Sequence, residues 1–188
     1  MWATHILFVA WQKSDEPKAE AQALAKFGND KKDKQGTRRF KVVVYKPGRE
    51  SENLKRLQSG QVYIVGHGAA GYGQIGDVDD EQRVDLLDVN TVCDRLIASG
   101  LNAAFSGKVK CFNCHSATAQ GNAEPFAKLF ATEMRRRTYT HCQYFGYDSS
   151  VQLAYKDLAF GGHYKHALEK INGRWCGMDR ASGARKPF

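Results

Sequence analysis

The sequence contains no long hydrophobic run. No stretch approaches the roughly 18 consecutive apolar residues that a membrane-spanning helix needs. The apolar segment from Ile6 to Trp11 has no basic leader before it and no small-residue cleavage site after it, which is atypical of a signal peptide. We therefore expect a protein without a membrane span that is cytoplasmic, or exported by a route that cleaves no signal peptide.

Cysteine is scarce and irregularly spaced. The chain has 188 residues, enough for a hydrophobic core without covalent cross-links, and an odd number of cysteines. Both facts argue against a disulfide framework and favour reduced thiols. Internal repeats and linkers are also absent, so we predict one domain over residues 1–188. The cysteines are Cys93, Cys111, Cys114, Cys142 and Cys176.

Negative charge is in the minority. The formal net charge is +8, and Lys and Arg are concentrated in Lys31 to Arg39, Arg135 to Arg137 and Arg174 to Lys186. Such an excess attracts phosphate groups, nucleic acid or an acidic surface. Clusters of this size are more often solvated loops and helix ends, so we do not expect nucleic acid to be the partner.

Strands and helices alternate along most of the chain. This alternation predicts an α/β fold, a three-layer sandwich with a mainly parallel central sheet. Glycine-containing turns at 161–162 and 172–173 predict a β-hairpin region near the C-terminus. The predicted strands are residues 6–10, 40–45, 61–65, 109–113 and 139–144, and the predicted helices are 16–27, 51–58, 86–99 and 124–136.

Two segments with unusual chemistry follow predicted strands. His67 lies in the glycine-rich run 66–73, and Cys114 follows the strand at 109–113. So many glycines indicate a backbone that approaches another group closely. Sites in open α/β sheets form at the carboxyl ends of strands, and consecutive strands joined by a crossover are usually neighbours. We therefore expect His67 and Cys114 to lie together.

A cysteine beside a histidine is an arrangement used for nucleophilic catalysis. The imidazole helps to generate the thiolate and later protonates the leaving amine. We assign Cys114 as the nucleophile and His67 as its acid and base. The backbone N–H groups of Gly68 and Cys114 are the predicted donors to the oxyanion of the tetrahedral intermediate.

The order and spacing of these motifs resemble a known family. Gly66-His67-Gly68 follows one hydrophobic strand, and Asn113-Cys114-His115-Ser116-Ala117 follows another about 47 residues later. This pattern is similar to the caspase, metacaspase, clostripain and separase group of cysteine peptidases, especially bacterial members such as toxin self-processing domains. The resemblance implies a caspase-like fold, endopeptidase activity on a protein or peptide substrate, and no required cofactor or metal. Those toxin relatives are activated by a polyanion such as an inositol phosphate, which makes Arg135 to Arg137, together with the basic tail from Arg174 to Lys186, a candidate activator surface.

Residues around the nucleophile are expected to set specificity. In this group the loop after the following strand often helps to form the pocket, so Asp148 is the candidate partner for a Lys or Arg at the cleaved position. An ordinary turn aspartate is an equal alternative. Asp77 is a weaker candidate, and His115 and Ser116 are expected to line the site. An acidic pocket would make the basic Lys31 to Arg39 loop a natural site of self-cleavage.

Two other interpretations are open. The segment 111–115 matches the Cys-x-x-Cys-His pattern of haem attachment and half of a zinc site, which His141 and Cys142 would complete. Against a metal, alternation along a strand points Cys111 and Cys114 to opposite faces. The second alternative is a catalytically silent module on the same fold, which recruits protein or nucleic acid through its positive face.

Overall fold

The computed structural model describes most of the chain. The described residues are 4–13, 16–30, 40–78, 84–157, 162–171 and 174–188. The predicted self-cleavage loop, Lys31 to Arg39, lies outside them. No helix in this part of the chain is long and apolar enough to cross a bilayer.

The elements alternate between strand and helix at first and end in a run of strands. In chain order they are β1 (His5–Val9), α1 (Glu16–Asp30), β2 (Phe40–Val44), α2 (Glu52–Lys55), β3 (Gln61–Val65), β4 (Gln74–Val78), β5 (Val84–Asp88), α3 (Val89–Ala98), β6 (Lys108–Phe112), α4 (Phe126–Arg136), β7 (Gln143–Tyr147), β8 (Ser150–Asp157), β9 (Gly162–Ile171), β10 (Arg174–Arg180) and β11 (Arg185–Pro187).

A six-stranded sheet in the order β11-β7-β6-β3-β1-β2 forms the centre. β1 pairs in parallel with β2 and β3, and β6 pairs in parallel with β3 and β7. β11 runs antiparallel along the outer edge of β7. These pairings confirm the predicted α/β fold with a mainly parallel central sheet.

The central strands are buried on both faces. Leu7 and Phe8 of β1 point to opposite faces of the sheet, and both are 0% exposed. This pattern is typical of a parallel strand that other elements cover on either side. In α4 the side chains of Phe126, Phe130 and Met134 recur at helical spacing and are buried, so one stripe of the helix faces the core.

An aromatic cluster joins the strands that carry the candidate site. Phe112 at the end of β6 makes edge-to-face contacts with Tyr63 of β3 and Tyr147 of β7, with ring centroids 6.2 Å and 5.4 Å apart. Aromatic pairs of this kind contribute about 0.5–1.5 kcal/mol each beyond the area they bury. The contacts therefore fix the end of β6 against both neighbouring strands.

The C-terminal region forms a separate antiparallel sheet in the order β10-β9-β8. β9 pairs antiparallel with both β8 and β10. The predicted C-terminal hairpin strands are thus present, with β9 in the middle of the sheet and β8 and β10 at its two edges. The chain then returns to the central sheet as β11.

The helix predicted to begin at Leu86 begins at Val89. Asp88 is its N-cap, and Oδ1 of Asp88 accepts a hydrogen bond from the Thr91 N–H at 3.0 Å. Leu86 belongs to β5, which pairs with β4 in a hairpin that the sequence analysis did not predict. Gly100, with a φ of +94°, follows the end of the helix, where a residue without a Cβ adopts this conformation most readily.

The fifth predicted strand is displaced toward the C-terminus. The prediction covered residues 139–144, whereas β7 spans Gln143–Tyr147. The Tyr139 hydroxyl donates a hydrogen bond to the Leu101 carbonyl at 2.9 Å, and Thr138 before it has a positive φ of 73°. Tyr139 is therefore held in a turn after α4, although its composition suits a strand.

Candidate active site

The two predicted catalytic residues follow neighbouring strands. β3 and β6 pair in parallel with Val65 opposite Phe112, and His67 and Cys114 each come two residues after these strand ends. Adjacent strands lie about 4.8 Å apart, so both residues follow the same end of the sheet on adjoining strands. The predicted adjacency of the two strands is confirmed.

The backbone of Gly68 lies against the turn that carries Cys114, which we call the Cys114 turn (residues 113–118). A Cβ on Gly68 would lie 2.5 Å from Nδ2 of Asn113 and 2.7 Å from the backbone oxygen of Cys114. Only glycine permits this approach. Within the described residues, no backbone carbonyl accepts a hydrogen bond from the Gly68 N–H.

A second contact joins the His67 loop (residues 66–73) to the Cys114 turn. The Gly71 N–H donates a hydrogen bond to the Thr118 carbonyl at 2.8 Å. Gly71 has a φ of +69°, and a Cβ there would lie 2.5 Å from Cβ of Gln120. Two glycines therefore set the spacing between the segments, and the predicted close approach of this glycine-rich backbone is confirmed.

His67 is held by a two-bond bridge to the β4–β5 hairpin. Its N–H donates to the Gly76 carbonyl at 2.8 Å, and the Gly76 N–H donates back to the His67 carbonyl at 2.9 Å. On the other side, a Cβ on Gly66 would lie 2.9 Å from the buried indole of Trp11. The half-buried imidazole is thus attached to backbone that has little freedom to move.

The Cys114 turn is tied to the chain that links β7 to β8. The His115 N–H donates to the Ser149 carbonyl at 3.0 Å, and Nε2 of His115 lies 3.2 Å from Oγ of Ser150. His115 has a positive φ of 53°, which is uncommon outside glycine. The half-buried Cys114 thiol lies 3.6 Å from the Val151 carbonyl, so the start of β8 forms one wall beside the sulfur.

Ser116 is fully buried and braces the turn. Its hydroxyl donates to the Cys111 carbonyl at 2.7 Å and accepts from the Tyr147 N–H at 2.9 Å. The Ser116 carbonyl accepts from the Ala127 N–H at the start of α4 at 2.9 Å. Ser116 thereby connects β6, β7 and α4, and its 0% exposure gives no support to the predicted contact with substrate.

The described thiols divide into two kinds. Cys93, Cys111 and Cys142 are buried, whereas Cys114 retains partial exposure. Burial raises the pKa of Cys93 to about 12, and it also raises the pKa of Cys111 and Cys142. At neutral pH these three remain thiols and are poor nucleophiles.

Asp148 follows β7, so the predicted Asp148, Cys114 and His67 come after three consecutive strands of the sheet. The Asp148 side chain is 37% exposed, and its Oδ2 lies 3.1 Å from Nζ of Lys186 on β11. The Asp148 N–H donates to the Ala184 carbonyl at 2.9 Å. The carboxylate is therefore at the expected end of the sheet, and it forms an ion pair with a lysine of the same chain.

Asp77 lies in β4 beside Gly76, the bridging partner of His67. Its side chain is 6% exposed, and it faces Asp85 across the hairpin register. A residue with so little accessible surface is better suited to supporting the hairpin than to contacting a substrate. Its burial gives the predicted substrate role no support.

The two cysteines of the possible metal motif have different surroundings. Cys111 is buried in β6, where the nearby Cys93 adds to the effect of burial in raising its pKa. Cys114 lies beyond the strand end beside Val151. In the described part of the chain, no three or more His, Cys, Asp or Glu side chains are grouped so as to bind a metal ion.

The arginines proposed as an activator surface make contacts within the protein. Arg136 and Arg137 both pair with Glu133, at 2.9 Å and 2.5 Å. Arg137 also pairs with Asp94 at 2.9 Å, and Arg135 donates to the Phe188 carbonyl at 2.7 Å. A polyanion would compete with these contacts, and its binding there stays a prediction.

Asn113 directly precedes Cys114 in the motif, and the sequence predicted no role for it. It is 2% exposed, and neither atom of its side-chain amide has a hydrogen-bond partner in the described part of the protein. Buried polar groups of this kind are rare in native structures. Its Nδ2 lies against Gly68. In the sequence, the indication of a role for Asn113 was its position between a strand and the cysteine.

The chain matches no protein-family model and no curated protein sequence.

Substitution of Gly68 by Ala tests the close approach of the two loops. The added methyl group would overlap the Asn113 side chain and the Cys114 carbonyl, so the loops must separate. We expect a lower melting temperature, by about 2–4 °C for each 1 kcal/mol lost in a chain of this length, and a changed rate of Cys114 alkylation. Gly121→Asn is the matched control, because Gly121 has a φ of +58° and open space around it. Equal effects of both substitutions would contradict the proposed contact.

The difference in burial predicts selective alkylation. With Cys176 replaced by Ser in all samples, iodoacetamide at pH 8 should modify native protein first at Cys114, with Cys93, Cys111 and Cys142 reacting only after unfolding. Peptide mapping by mass spectrometry over time measures the four rates. Early modification of Cys111 at a rate similar to that of Cys114 would refute the assignment.

Proposed function

We propose that this protein is a cysteine endopeptidase of the caspase-like kind, with Cys114 as nucleophile and His67 as acid and base. The parallel pairing of β3 with β6 carries the proposal, because it puts the two residues after adjoining strands. The partial exposure of Cys114 among buried cysteines gives further support. The resemblance of the two motifs to the caspase group supplies the reaction type.

Each proposed step uses groups at these strand ends. The Cys114 thiolate attacks the substrate carbonyl, and the resulting tetrahedral oxyanion accepts hydrogen bonds from the N–H groups of Gly68 and Cys114. Protonated His67 gives its proton to the leaving amine as the C–N bond breaks, which leaves a thioester. His67 then takes a proton from water as the water oxygen attacks the thioester, and the C–S bond breaks to release the acid, the Cys114 thiolate and protonated His67, the state in which the cycle began.

The arrangement of Asp148 favours cleavage after Lys or Arg. Its carboxylate follows β7, the strand next to that of the nucleophile, and already pairs with the cation of Lys186. A substrate Lys or Arg would replace Lys186 in that pair. Substrate cleavage therefore includes a competition with this internal lysine.

The catalytic assignment is tested with a peptidyl acyloxymethyl ketone carrying arginine. We expect covalent labelling of wild-type protein, none of Cys114→Ala, and unchanged labelling of Cys111→Ala. In peptide hydrolysis, His67→Gln should lower kcat by about 10²–10⁴-fold, the usual contribution of a general acid and base. Labelling that survives in Cys114→Ala would exclude this nucleophile. Absence of labelling and cleavage in wild type, with salt-sensitive binding of nucleic acid, would favour the silent module.

The specificity assignment is tested with peptide amides that have Arg or Leu before the cleaved bond. Asp148→Asn should lower kcat/KM for the Arg peptide about tenfold, which is the loss of one hydrogen bond to a charged group, and leave the Leu peptide unchanged. Lys186→Ala should raise the Arg rate up to about threefold, since exposed ion pairs are weak. Asp94→Asn is the control, because Asp94 is also paired with a cation, Arg137. Parallel losses for both peptides would remove Asp148 from specificity.

A further inference from the structure

Exposed large hydrophobic side chains are concentrated in one segment of the described chain. They are Tyr72, Val84 and Leu86, which are 55%, 59% and 47% exposed. All three belong to the stretch that follows His67. Scattered exposed hydrophobics need no explanation, but a group beside a candidate site indicates binding.

The β4–β5 hairpin has one buried face and one exposed apolar face. Ile75 and Leu87 are opposite each other in the register and are buried. Gly76 and Leu86 form the next pair, on the other face. A Cβ on Gly76 would lie 3.3 Å from Cδ2 of Leu86 and 3.3 Å from Cγ1 of Val84. The side chains of Val84 and Leu86 therefore lie beside the Gly76 backbone, which carries no side chain. We call Gly76, Val84 and Leu86 the apolar face.

The apolar face begins at His67. The bridge between His67 and Gly76 fixes their backbones side by side, and Cβ of His67 lies 3.8 Å from the position of a Cβ on Gly76. Tyr72 follows Gly71, the residue that is bonded to the Cys114 turn. The exposed apolar side chains are thus part of the surroundings of the proposed site and do not belong to a remote surface.

We propose that the apolar face binds a large apolar side chain of the substrate, in one of the first two positions after the cleaved bond. This inference depends on the proposed function. An imidazole that protonates the leaving amine must lie next to the leaving segment. Val84 and Leu86 belong to the hairpin that is bridged to His67, so their side chains form the apolar surface beside that segment. The cleaved sequence would therefore have a basic residue before the bond and Leu, Ile, Val, Met or Phe after it.

The order of strand ends gives the same substrate direction. Asp148, Cys114 and His67 follow β7, β6 and β3, which are consecutive in the sheet. A peptide that lies across these ends with its basic residue toward Asp148 has its leaving segment toward His67. The acidic group and the apolar face then contact opposite sides of the cleaved bond.

The test is digestion of a mixed peptide library, with cut sites mapped by mass spectrometry and Cys114→Ala as background. For wild type we expect enrichment of large apolar residues in the two positions after the cut. A matched peptide pair with Leu or Ser there should differ about tenfold in kcat/KM, the scale of one hydrophobic side chain. In the Val84→Thr/Leu86→Asn variant this difference should fall to about twofold or less, with an unchanged preference before the cut. Asp85→Asn, on the same strand and exposed, should keep the wild-type pattern.

The possible failures are distinguishable. Cys114-dependent cuts without apolar enrichment, or an enrichment that the double variant keeps, would overturn the apolar site and leave the peptidase intact. No Cys114-dependent cut in any sample would overturn the proposed function and this site with it. Self-association of wild type that the double variant loses, seen by analytical ultracentrifugation, would assign the face to a second copy. A melting temperature for the double variant within about 2 °C of wild type confirms that the comparison is between folded proteins.

Discussion

The close approach of the Gly68 backbone to Asn113 and Cys114 is the constraint on which the candidate site depends. It follows from the parallel pairing of β3 and β6, which brings two loops to the same edge of the sheet, and from the lack of a side chain at Gly68. A methyl group at this position would meet the Cys114 carbonyl at 2.7 Å. Because protein interiors are close-packed, such an overlap must be relieved by movement of one loop, and the cysteine and the histidine would separate with it.

The Cys114 turn is held in position by groups from several elements. Ser116 is hydrogen-bonded to β6, to β7 and to the first turn of α4, while His115 contacts Ser149 in the link after β7 and Ser150 at the start of β8. These bonds offset the positive φ of His115, which is unfavourable for a residue with a Cβ. A turn fixed in this way presents its thiol from a rigid support, which is what the proposed nucleophile needs for a reproducible angle of attack.

Residues of one type have different chemistry in this protein because their burial differs. Cys93 and Cys111 lose the stabilisation that water gives a thiolate, so the pKa of each is raised, whereas Cys114 beyond the strand end keeps access to solvent. The aspartates also differ in burial: Asp77 is enclosed in the hairpin, whereas Asp148 is partly exposed and forms an ion pair with Lys186. The sequence selected Cys114 by its motif and ranked Asp148 above Asp77 by its position, and burial is the physical difference between the members of each set.

Local sequence determined the strand at 61–65 and, to within one residue, β6 at Lys108–Phe112, which was predicted at 109–113. It also determined the glycine-rich loop after β3 and the positions of His67 and Cys114 after two strand ends. Mostly apolar runs are typical of strands that are buried on both faces, and close backbone contact requires glycine. Tertiary structure decided the rest. Leu86 and Leu87 fit a helical period and a strand equally well, and only pairing with β4 assigned them to a hairpin. Tyr139 suits a strand, but its bond to Leu101 holds it in a turn. The Asp148–Lys186 pair exists because β11 returns to β7, a contact between distant segments that no local pattern encodes.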